Sequence, residues 1–192
     1  MSENWQSSEI VIHSRAKTHN HSLNRDFAQE WLVVFVVQQR GEMMKQFIVD
    51  EYQVLEAKAH GADLILLIAA VLSRKEIESL STFAQSLGLE VLLEVHNLEE
   101  IEKSIMPSLN LLGVNNRNLK TFEVNLDTSR ELAEKIPSDF IKVSESGISK
   151  TESIKDLKKY GYQGFLVGEK FMKTDDPGQS AVEFIKTIND EA

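Results

Sequence analysis

Polar, chemically competent side chains follow directly behind apolar runs at five places in the chain. They are Lys45 in Met43-Met44-Lys45-Gln46-Phe47, Glu94 in Val91-Leu92-Leu93-Glu94-Val95-His96, and Asn115 and Arg117 in Gly113-Val114-Asn115-Asn116-Arg117-Asn118-Leu119-Lys120-Thr121-Phe122. The other two are Glu145, Ser146 and Gly147 behind Val143-Ser144, and Gly168-Glu169 behind Phe165-Leu166-Val167. A Lys and a Glu form an acid–base set once burial moves their proton affinities toward neutrality. Gly and Ser in loops let backbone N–H groups and a hydroxyl approach a phosphate. Each feature also has a plainer reading. Lys45 then is a solvated strand-end side chain, Glu94 a carboxylate paired with a neighbouring cation, Asn115 to Asn118 turn residues, and the glycine-bearing loops simple turns. His96 falls two positions beyond Glu94 on the same strand side, where a His is more often structural.

Elements must position these groups. From Met43 onward short apolar runs alternate with longer amphipathic stretches, the signature of repeated βα units with a parallel sheet. Strands are expected at Met43 to Phe47, Asp63 to Ala69, Glu90 to Val95, Asn110 to Asn115, Phe140 to Ser144 and Gly164 to Gly168. Helices are expected at Tyr52 to Ala59, Arg74 to Leu87, Leu98 to Ile105, Thr128 to Lys135, Lys150 to Tyr160 and Gly178 to Asn189. Most of the strands are apolar throughout, as strands covered on both faces are. The candidate groups then gather at the C-terminal strand ends, where a barrel of this kind keeps its chemistry.

The expected fold class is therefore α/β, of the (β/α)8 TIM-barrel type but incomplete, since a full barrel needs eight units in roughly 250 residues. Six βα units are clear, and Trp31 to Val37 is β-branched and aromatic enough for an extra N-terminal strand. Residues 1–23, polar and rich in Ser, Asn and His, read as a disordered segment, and residues 24–192 as a single partial barrel domain that opens with a short helix at Asn24 to Glu30.

A formal charge of −9 argues against nucleic acid as a partner, because phosphate-backbone affinity rests on clustered Lys and Arg. A single small anion can still be held locally by backbone N–H groups. The absence of Cys excludes disulfide scaffolds, thiolate metal sites and thiol nucleophiles, and points to the cytoplasm. The longest apolar stretches, Trp31 to Val37 and Leu64 to Leu72, fall short of the roughly eighteen residues of a membrane span. No secretory signal pattern opens the chain. His13, His19 and His21 lack a completing Asp, Glu or Cys spacing, so no metal site is expected there.

The ten-residue string Gly113 to Phe122, together with Val143-Ser144-Glu145-Ser146-Gly147-Ile148 and Phe47-Ile48-Val49-Asp50-Glu51-Tyr52-Gln53, closely resembles indole-3-glycerol phosphate synthase, the (β/α)8 lyase family of tryptophan biosynthesis. The resemblance covers about residues 43–190. It implies an enzyme that needs no metal or organic cofactor. Such an enzyme closes the indole ring of 1-(2-carboxyphenylamino)-1-deoxyribulose 5-phosphate, with loss of CO2 and water. By the same resemblance Lys45 is the general acid, Glu94 the second acid–base residue, and Asn115 and Arg117 line and order the pocket. Ser146, Gly147, Gly168 and Glu169 fall at phosphate-contacting positions, and Glu145 and Leu166 at substrate-facing ones. Gln46 stands where the family has Asp, and the family's first-strand Glu-x-Lys and Ser-Pro-Ser have no counterpart: Glu9 to Arg15 lacks the Lys and the Pro. Three readings follow: a working lyase on a small phosphosugar, an impaired remnant with a phosphate pocket, or an interaction module that self-associates through open barrel edges.

Overall fold

Helix starts in this chain are set by side chains that satisfy the otherwise orphaned first N–H groups. At α1 (Glu51–Ala59), Asp50 accepts from the Tyr52 N–H at 2.8 Å, while the Gln53 side chain accepts from the Val49 and Asp50 N–H groups. Ser73 and Glu76 form the same reciprocal box at α2 (Arg74–Ser86), and Asn97 caps α3 (Leu98–Ser104) by accepting from the Glu100 N–H at 2.9 Å. Four further helices follow: α4 (Asp127–Ala133), α5 (Thr151–Lys158), α6 (Glu169–Met172) and α7 (Pro177–Asp190). The computed structural model describes residues 33–35, 48–109 and 111–190.

The strands are β1 (Val33–Phe35), β2 (Leu64–Ile68), β3 (Glu90–Val95), β4 (Leu111–Asn115), β5 (Ile141–Glu145) and β6 (Tyr162–Leu166). All pairings are parallel, in the order β1-β6-β5-β4-β3-β2. Strands β2 to β6 thus lie side by side in chain order, and the first strand returns beside the last, which is the seam a β/α barrel makes. One register row crosses all six strands through Ile68, Glu94, Gly113, Val143, Gly164 and Val33. Two residues further along, Asn115, Glu145, Leu166 and Phe35 come into line on four of the strands.

Alternate side chains of the strands serve two different cores. On the helix side Ile65, Leu67, Val91, Leu93, Val95, Leu112, Val114 and Phe165 pack with Ile77, Leu80 and Ala84 of α2, Ile101 of α3, Ile154 and Leu157 of α5, and Phe184 of α7. On the other face Leu92, Leu111 and Val143 meet Leu64, Leu66, Ile141 and Leu166. Each fully buried Leu, Ile or Phe contributes about 1.5–3 kcal/mol relative to exposure, so the helix-side layer carries most of the cohesion. The ring of Phe171 meets that of Phe184 edge-on at 5.5 Å, which seats α6 on α7.

The expected α/β architecture of TIM-barrel type is the one observed, with small differences at element ends. β6 starts at Tyr162 rather than Gly164, because Tyr162 pairs with Lys142 ahead of a register shift in β5. It ends at Leu166, and Val167-Gly168 then lead into α6, a four-residue helix that periodicity could not register. The expected strand at Met43 to Phe47, the expected tail at 1–23 and the expected helix at Asn24 to Glu30 lie outside the described residues. Of Trp31 to Val37, Val33–Phe35 forms β1. Among the described residues no helix is long and apolar enough to cross a membrane.

Candidate active site

The helix-free face of the sheet changes character toward the C-terminal strand ends. Leu92, Leu111 and Val143 form an apolar floor. Two residues further along the same strands stand Glu94, Gly113 and Glu145, and Asn115 follows Gly113 on β4. Period-two alternation makes this placement automatic once the floor is apolar. Glu94 and Glu145 are each only 5% exposed. Gly113 is what makes room for them. A Cβ at that position would lie 1.9 Å from Glu145 Oε1 and 3.2 Å from Leu92 Cδ1, so the Glu145 carboxylate occupies the space a side chain would take. Glu94 is the register partner of the same glycine, which brings both carboxyl-bearing residues to one small region.

His96 closes the β3 end. Its Nε2 lies 3.2 Å from Glu94 Oε1 and its Nδ1 3.2 Å from Glu100 Oε2 on α3. The His96 backbone N–H also donates to Glu100 Oε2, at 2.8 Å, and the Asn97 amide donates to Glu100 Oε1, at 2.8 Å. Burial alone would pull the imidazole pKa down, but the hydrogen bond to Glu100 and the close approach of Glu94, which sits at ion-pair distance without hydrogen-bond alignment, outweigh it and raise the value to about 9. The ring is therefore an imidazolium at neutral pH. Glu100 also feels desolvation, which acts upward, yet the His96 side chain and backbone N–H bring its pKa below the ordinary Glu value.

The loop after β4 folds back as a short hairpin, with Arg117 bridging Val124. Asn115 Oδ1 accepts from the Arg117 N–H at 2.9 Å, and Asn118 Oδ1 accepts from the Lys120 and Thr121 N–H groups. Asn116 turns to the helix side and is buried. Its amide donates to Ser144 Oγ, the Glu145 carbonyl and the Ser146 carbonyl, while its oxygen accepts from the N–H and hydroxyl of Ser129. Tyr162 donates its hydroxyl to the Ser129 carbonyl at 2.7 Å, and burial pushes its pKa up to about 12. The string of asparagines thus does both jobs: Asn116 and Asn118 build the loops, and Asn115 reaches the open face.

Ser146 and Gly147 follow β5 with φ of 66° and 77°, in the left-handed region. A Cβ on Gly147 would stand 2.4 Å from Val124 Cγ1, so close approach and backbone sign both require glycine. Gly168 caps α6, and its carbonyl accepts from the Phe171 N–H at 2.9 Å. Across the top, the Arg117 guanidinium reaches Glu169 Oε2 at 3.0 Å, and Lys173 reaches Glu169 Oε1 at 2.7 Å. Lys173 and Arg117 together keep the Glu169 carboxyl below the ordinary Glu range.

The structure thus gathers Glu94, Asn115, Arg117, Glu145, Ser146, Gly147, Leu166, Gly168 and Glu169 at the C-terminal ends of β3 to β6 and the loops behind them. Lys45 lies outside the described residues. Sequence reasoning did not find Gly113, Asn116, Ser129 or Glu100. For Glu100 a signal existed, since Asn97 followed three residues later by Glu100 is a helix-start pattern. The other three depend on which face each residue takes. Among the described residues no group of three or more His, Cys, Asp or Glu is arranged to hold a metal ion, and His13, His19 and His21 lie outside them.

Comparison with known proteins supplies the family. In solved structures the fold is similar to 3-hexulose-6-phosphate synthase of Salmonella typhimurium (TM-score 0.62, 18% identity, 76% of this chain and 71% of that one). It is also similar to the tryptophan synthase complex of Pyrococcus furiosus (TM-score 0.55, 17% identity, 72% and 60%). At these identities the likeness is one of fold alone. In sequence, 144 residues are 49% identical to the indole-3-glycerol phosphate synthase of Bacteroides thetaiotaomicron, covering 75% of this chain and 55% of that protein. The Chromobacterium violaceum synthase is 49% identical over 138 residues, 72% of this chain and 52% of that protein. A multifunctional tryptophan biosynthesis protein of Schizosaccharomyces pombe is 40% identical over 184 residues, 96% of this chain and 24% of that protein. The chain spans about half the length of the bacterial relatives. The family model for indole-3-glycerol phosphate synthase matches residues 28–184, a span that starts ahead of β1 and takes in every strand described. With this match over most of its length, the chain belongs to the indole-3-glycerol phosphate synthase family.

Proposed function

We propose that the chain acts as a carboxy-lyase in tryptophan biosynthesis, closing the indole ring of 1-(2-carboxyphenylamino)-1-deoxyribulose 5-phosphate to give indole-3-glycerol phosphate, CO2 and water. The observation that carries this reading is the convergence of Glu94, Asn115 and Glu145 on the face around Gly113, within the family match. The aryl carbon that bears the carboxylate attacks the sugar carbonyl, and Lys45 gives its proton to the carbonyl oxygen as the C–C bond forms. Loss of CO2 returns the electron pair to the ring. The new hydroxyl then leaves as water, with Glu94 moving the proton and Asn115 ordering the reacting atoms. Arg117, Glu145 and Leu166 hold the substrate's anthranilate and sugar portions. Ser146, Gly147, Gly168 and Glu169 receive the phosphate, the last two through backbone N–H groups. Holding the phosphate far from the reacting carbon helps offset the cost of folding the substrate into a ring-closing shape. The absence of Cys agrees with work in the cytoplasm.

A second reading, a phosphate pocket without turnover, is favoured by the lack of the Glu-x-Lys and Ser-Pro-Ser motifs and by Gln46 in place of Asp. Incubating the purified chain with the carboxyphenylamino-deoxyribulose phosphate and following indoleglycerol phosphate fluorescence separates the two. Product that disappears in Lys45→Ala supports the lyase. No product from the unaltered chain, with indole-3-glycerol phosphate still raising its melting temperature, overturns the lyase and leaves the pocket.

A further inference from the structure

We propose that His96 and Glu100 are positioning residues for Glu94: the His96 ring is clamped between the two carboxyl groups and fixes the Glu94 side chain against the open face. This deepens the lyase reading and rests on it for the role of Glu94. Four observations on geometry support it. The ring nitrogens of His96 lie 3.2 Å from Glu94 Oε1 on one side and 3.2 Å from Glu100 Oε2 on the other. The side chains of His96, Glu94 and Glu100 are 13%, 6% and 13% exposed, so water screens the arrangement little. Glu100 itself cannot swing away, because the His96 N–H holds one oxygen and the Asn97 amide the other. The Asn97 cap in turn fixes the start of α3, on which Glu100 rides.

The charged groups acting on the imidazole are Glu94 from β3 and Glu100 from α3. Removing Glu100 therefore weakens the clamp without touching substrate. A His locked this way serves a carboxylate that must take a proton in one step and release it in another, because the neighbouring positive charge disfavours retention of that proton. Glu100, on α3, is the hold, and Glu94 is the working end.

Two measurements test this, one of which needs no turnover. In 15N-labelled protein the His96 ring should keep imidazolium shifts through neutral pH and titrate near 9, and Glu94→Gln and Glu100→Gln should each lower its midpoint. A midpoint near the ordinary His value, or one indifferent to both substitutions, overturns the clamp. In the turnover assay Glu100→Gln should lower kcat about tenfold with KM changed less than about twofold, and should displace the pH profile of kcat. His96→Gln should lose about a hundredfold, while His96→Lys, which restores a cation, should regain part of it. Unchanged kcat and pH profile in folded Glu100→Gln overturn the positioning role. If the unaltered chain gives no product at all, the lyase reading falls, and the titration still decides the clamp.

Discussion

Gly113 shows at the scale of one residue how a site is opened inside a sheet. Its register partners Glu94 and Val143 carry side chains, and the missing Cβ is where the Glu145 carboxylate lies. Gly113→Ala should therefore displace Glu145 from the open face. Because the clash is chiefly with the end of a flexible side chain, folding should lose no more than about 1–3 kcal/mol, whereas substrate affinity should drop about tenfold. Urea melts beside a substrate titration check it; equal affinity in the variant would mean that Glu145 does not hold substrate. Glu94 was legible in sequence as an acid inside an apolar strand. The room beside it was not, because a Gly in a strand reads only as a weak point until its neighbours are known.

Asn116 acts at the scale of elements. It ties the end of β4 to the end of β5 and to the start of α4 through five hydrogen bonds, and the Ser146 carbonyl that it holds belongs to the left-handed loop of the expected phosphate site. Removing it leaves buried donors and acceptors without partners, each costing about 1–3 kcal/mol. Asn116→Ala should thus lose about 3 kcal/mol of folding stability, and Asn116→Asp should not restore it, since the carboxylate cannot donate to Ser144 and the two carbonyls. Chemical denaturation reads both. The helices and strands themselves were largely legible: apolar runs at Leu64–Ile68 and Glu90–Val95 announce themselves locally. α6 was not, because four residues are too few to carry a period.

Across the whole molecule the β3–α3 clamp couples stability to pH. The folded-state pKa of His96 is raised from 6.5 to about 9, so its contribution is fully present below pH 6.5 and is lost as pH rises through 9. Urea stability should fall by on the order of 2–3 kcal/mol across that window, and His96→Gln should flatten the decline. A wild-type profile as flat as the variant's would count against the charged ring. The sheet as a whole runs β2 to β6 in order and then returns to β1. Local periodicity and contiguous strings carry the alternation of strands and helices, the parallel class, the family and the polar groups behind each strand. What those groups meet is set by the packing of one element on another. The pairing of β1 with β6, the Glu145 carboxylate over Gly113 and the Arg117–Glu169 contact join residues far apart in the chain or on facing elements. Their energies depend on distance and burial, quantities that no local pattern contains.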